Sequence, residues 1–86
     1  MPEISRFYVI VIAMYYRDHT PPHFHARYES FEAQVCIDPP GLIRGDLPPR
    51  ALSMVIEWAS LHQDELRRAF ESAANSLPPG KIEPLA

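Results

Sequence analysis

Residues 23–38, HFHARYESFEAQVCID, alternate apolar and polar side chains in two successive runs separated by Glu29-Ser30. A period of two puts Phe24, Ala26 and Tyr28 on one face of a strand and His23, His25 and Arg27 on the other. The second run repeats the pattern, with Phe31, Ala33, Val35 and Ile37 against Glu32, Gln34, Cys36 and Asp38. Consecutive strands of this kind joined by a tight turn form an antiparallel hairpin with one dry and one polar face. The dry face must be covered, so the remaining chain has to supply a second layer.

That layer is legible in residues 50–77, which contain neither Gly nor Pro. Leu52, Val55, Ala59, Leu66, Phe70, Ala73 and Leu77 recur at three- and four-residue steps, the signature of an amphipathic helix over about 48–76, in one piece or two abutting ones. Asp46 is placed to cap it, and Pro48-Pro49 suit a first helical turn. His62 falls inside the apolar stripe, where a core histidine satisfied by one hydrogen bond, for instance to a tyrosine hydroxyl, is the expectation. Met54, Trp58 and Leu61 flank the stripe. Upstream, DPPGLIRGDLPP reads as loop, with room for a short edge strand about Leu42 to Arg44.

Residues 6–16 are rich in β-branched and aromatic types and read as a first strand, apolar on both faces: Phe7, Val9, Val11 and Ala13 against Tyr8, Ile10, Ile12 and Met14. The expected fold is therefore α+β in the order β-β-β-α. A small antiparallel sheet of three strands (about 6–16, 23–28 and 31–38), four with the edge strand, packs on one long C-terminal helix. Residues 77–86 are an extended tail, and 1–86 form one domain. A single helix covers one sheet face only, leaving Tyr8, Ile10 and Ile12 to meet a second copy or another small protein.

The 86 residues are 47 % apolar, enough for one core, and the formal charge is −3, so any contact with RNA must rest on a local patch. The single cysteine, Cys36, cannot close an intramolecular disulfide, which suits a reducing cytoplasm. The longest apolar run, Phe7 to Tyr16, is about half the ~20 residues a membrane-spanning helix needs. No membrane association is expected.

PEISRF at residues 2–7, MYYRDHTPPHFHARY at 14–28, LPPRAL at 47–52, EWASLH at 57–62 and KIEPL at 81–85 together resemble the small bacterial proteins grouped as domain of unknown function DUF4160. The resemblance spans essentially the whole chain and brings no established activity. It implies a genetic context, one half of a two-gene cassette in the manner of toxin–antitoxin pairs, with an operon-neighbour protein as partner. The hairpin–loop–helix layout is also similar to the double-stranded-RNA-binding-like fold of small mRNA-cleaving toxins.

The segment DHTPPHFHARY, residues 18–28, carries the candidate chemistry. On a strand, His23 and His25 project from one face ~6.6 Å apart. In a ligand reading they converge on a divalent transition ion such as zinc, with His19, or Asp18, completing a three-ligand site and Glu32 orienting an imidazole. In a catalytic reading, His23 and His25 serve as base and acid in metal-independent RNA cleavage, and Arg27 stabilises charge on the phosphate. A thiol nucleophile at Cys36 working with His25 is poorer, because nothing near it clearly activates the thiol. In a third reading the segment shapes a non-catalytic interaction surface, its polar groups paired across the hairpin.

Overall fold

A computed structural model describes residues 2–86, folded as five strands followed by two helices: β1 (Glu3–Phe7), β2 (Ile10–Ala13), β3 (His23–Tyr28), β4 (Phe31–Ile37), β5 (Pro40–Gly45), α1 (Pro49–Leu61) and α2 (Gln63–Ala74). The strands form one antiparallel meander in sequential order β1-β2-β3-β4-β5. The α+β class and the antiparallel sheet agree with the sequence reading; the number of strands and the single helix do not.

The expected first strand is a hairpin. Tyr8 and Val9 take positive φ, 49° and 61°, and Phe7 pairs directly with Ile10. Two central residues with positive φ are the twist-matched solution for a two-residue hairpin loop, normally built from Asn and Gly. A tyrosine and a valine give no such signal, so the break is invisible to propensity. Its effect is to put Phe7, Ile10 and Ile12 together in the core, along with Ile4 and Met14. Tyr8, at the hairpin tip, stays exposed. Of the three residues on which a dimer or partner contact was expected, Ile10 and Ile12 are buried within the chain and Tyr8 is exposed.

β3 and β4 lie where the alternation puts them, with Ala26 opposite Ala33 and Tyr28 opposite Phe31 around the Glu29-Ser30 turn. The proline- and glycine-rich stretch forms a full edge strand rather than only a loop. Gly45 sits at φ +80° against β4, where a Cβ would overlap the Glu32 carbonyl oxygen. The helix breaks at His62 (φ −127°, ψ 29°), which ends α1 and opens α2. Pro48, not Asp46, occupies the position before α1.

The core lies between the helices and one sheet face. Trp58 is its centre, with its ring 5.4 Å from Phe7 and 5.6 Å from Phe24. Its indole N–H donates to the Glu83 carbonyl at 2.8 Å, and the Ile82 amide donates to the Ile4 carbonyl at 2.8 Å, so the tail straps the β1 edge. α2 crosses the end of the sheet where β3 starts and β4 stops: Gln63 donates to the Ile37 carbonyl and Arg67 pairs with Asp38. Among the described residues, no helix is long and apolar enough to cross a membrane.

Candidate functional site

The histidines lie on the sheet face opposite the core, as alternation requires. His25 pairs across the sheet with Ala13 and Gln34, whereas Ala26 pairs with Ile12 and Ala33 of the core. They are nevertheless buried, His23 to 3 % exposure and His25 to 5 %. Residues 14–22 cause this. The Arg17 amide donates to the Ala73 carbonyl at 3.0 Å and its Nε to Ser76 Oγ at 2.6 Å, which pins the loop to the end of α2. The loop then sets the Tyr15 ring edge-on to His25 at 4.5 Å, while Phe70 of α2 lies 5.7 Å from the His23 ring. A face that alternation alone assigns to solvent becomes a closed niche.

Asp18 stands at the centre of this niche. One oxygen, Oδ2, lies 2.9 Å from His23 Nε2 and 3.3 Å from His25 Nε2; the other accepts the His19 amide at 2.9 Å. Ligand atoms of the three side chains all lie within 4.8 Å of one another. Burial pushes the Asp18 carboxyl up, but the His19 amide and the hydrogen bonds from His25 and His23 outweigh it and leave the carboxyl below its ordinary value. Asp18 is therefore held as an anion.

The tautomer of His23 follows from its other nitrogen. Nδ1 lies 2.8 Å from the Pro21 carbonyl, which only accepts, so Nδ1 carries a hydrogen. The Nε2 contact with the Asp18 carboxylate is then attractive only with a proton or a metal ion shared between them. His25 differs: among the described residues Nδ1 is buried without a hydrogen-bond partner, and Glu32 Oε2 lies 3.6 Å from it.

The residues singled out in the sequence separate here. His23 and His25 come together; His19 stays outside, 86 % exposed, with Nδ1 3.1 Å from Asp18 Oδ1. Arg27 is exposed beside Glu32 and Val11 and makes no side-chain hydrogen bond or ion pair among the described residues. Cys36 faces His23 across the hairpin and donates to the Asp38 carbonyl, with no histidine partner. His62 lies on the core side of the sheet, 5.6 Å from Trp58, its Nδ1 bonded to Glu65 at 2.6 Å rather than to a tyrosine. Sequence reasoning gave Asp18 only as an alternative ligand and missed Tyr15. The five-residue step from Asp18 to His23 was the available signal, but only the pinned loop turns that aspartate inward.

The chain matches one family, described as a domain of unknown function (DUF4160), over residues 10–71. The matched span runs from β2 into α2 and contains Asp18, His23, His25 and Glu32. No curated protein and no solved structure matches.

Proposed function

Because the chain belongs to the DUF4160 family, whose description carries no activity, we propose its function from the site itself: it binds one divalent transition-metal ion through Asp18, His23 and His25. The observation that supports this is the spacing of the donor atoms. Ligands ~2.1 Å from a common ion and 90–109° apart are separated by about 2.9–3.4 Å. His23 Nε2 and His25 Nε2 lie 2.9 and 3.3 Å from the same Asp18 oxygen. The third separation, between the two Nε2 atoms, is no more than 4.8 Å. Two neutral imidazoles and a carboxylate suit zinc, iron, cobalt or nickel better than magnesium or calcium. Three protein ligands leave at least one coordination position for water, a substrate, or His19 swung inward.

The same geometry supports metal-independent RNA cleavage less well. A base and an acid for that reaction must reach the ribose hydroxyl and the leaving oxygen. His23 and His25 instead direct both Nε2 atoms at the Asp18 carboxylate, and Arg27 stands apart from them. A role in a two-gene toxin–antitoxin module is compatible with either chemistry and would place the metal site on the side of structure or hydrolysis.

The test is elemental analysis of tag-free protein loaded in turn with zinc, iron, cobalt and nickel and dialysed, beside Asp18→Ala, His23→Ala and His25→Ala variants checked for folding by circular dichroism. One equivalent of metal in the parent, lost in folded variants, is the expected result. A parent that retains no zinc, iron, cobalt or nickel after loading refutes the reading.

A further inference from the structure

We infer that Glu32 is the positioning residue of this metal site: it accepts the Nδ1 hydrogen of His25 and so holds the His25 Nε2 lone pair on the ion. The inference rests on the metal reading above and is carried by an observation which that reading does not use. His25 Nδ1 is a buried polar atom with no hydrogen-bond partner among the described residues. If Nε2 is a ligand, the neutral ring must carry its hydrogen on Nδ1, which then needs an acceptor. His23 already has one in the Pro21 carbonyl.

Glu32 is positioned to be the other. It lies on β4 two residues before Gln34, the direct partner of His25, and is therefore a diagonal neighbour on the same sheet face. Its Oε2 is 3.6 Å from Nδ1, just beyond hydrogen-bond length, and its side chain is 48 % exposed, so it turns freely. Among the described residues it has no competing ion pair, although Arg27 stands directly opposite. The Tyr15 ring, set edge-on at 4.5 Å, helps close the histidine off from water. A carboxylate behind a metal-bound imidazole fixes the ring's tautomer and orientation and raises its basicity, and removing such a partner weakens metal affinity 10–100-fold.

The experiment is a zinc competition titration against a chromophoric chelator on the parent, Glu32→Ala, Glu32→Gln and Glu32→Asp, with ¹⁵N shifts of the His25 ring recorded in the zinc-loaded state. Glu32→Ala is expected to weaken zinc binding about 10–100-fold and to move the Nδ1 resonance, with the metal-free melting temperature unchanged. Glu32→Gln, whose amide oxygen still accepts, recovers part of the affinity; Glu32→Asp, one methylene shorter, does not. A parent that binds zinc while Glu32→Ala binds within twofold, with an unmoved His25 Nδ1 signal, overturns the role of Glu32 alone. A parent that binds neither zinc nor, in the same titration, iron, cobalt or nickel overturns this role and the metal reading together.

Discussion

Asp18→Ala in the metal-free protein tests how much of the fold is tied to the site. Among the described residues, the substitution removes the only side-chain acceptor of His23 Nε2, in a side chain that is 2 % exposed, and also the longer contact to His25. A buried polar atom left without a partner costs about 1–3 kcal/mol, and the 3.3 Å contact adds roughly 0.5 kcal/mol. Water entering beside the vacated carboxylate, itself partly exposed, recovers some of this. The net expectation is a loss of about 2 kcal/mol, a large share of the ~5–15 kcal/mol that holds a domain together. For a domain of this size that lowers the melting temperature by roughly 8–16 °C.

The assay is urea unfolding of chelator-treated protein at pH 7, comparing midpoints at equal slope. It has a built-in sign check. The folded-state pKa of Asp18 lies below its ordinary value of 3.8, so its contribution is full above that value and is lost as pH falls through the lower folded value. The parent should therefore approach the variant in stability as the pH is taken below 3.8. A loss under about 0.5 kcal/mol at pH 7, or a gap that widens on acidification, would refute the reasoning.

Three further outcomes follow from the fold. Val9→Gly should raise stability by about 0.5–1 kcal/mol, because a β-branched residue at φ 61° carries left-handed strain that outweighs the entropy of glycine; a lower urea midpoint would contradict the turn. Gly45→Ala should cost about 2–4 kcal/mol, since its Cβ meets the Glu32 carbonyl and β5 must shift; an unchanged melt would show that the edge strand pairs differently. Trp58→Phe removes the bond to the Glu83 carbonyl and leaves a void, for about 2 kcal/mol. Hydrogen exchange at the Ile82 amide should rise beyond the global change if that bond holds the tail, and should only track it otherwise.

The sequence by itself determined the class, the central hairpin and the helical stripe. In each of these the side-chain period repeats over several residues, and burial on one face enforces it. Phe24, Ala26, Ala33 and Val35 are buried where alternation puts them, and Val55, Ala59, Leu66, Phe70 and Ala73 where the three- and four-residue steps put them. It also placed His23 and His25 on one face. Single-residue events were decided by the tertiary structure. The turn at Tyr8-Val9 and the break at His62 run against local preference and hold because each lets apolar neighbours reach one core. Burial of the histidines and the inward turn of Asp18 belong to the same class, because both depend on Arg17 docking at the end of α2, a contact between segments more than fifty residues apart. Local pattern encodes which face a side chain takes; whether that face becomes a niche depends on which distant segment closes over it.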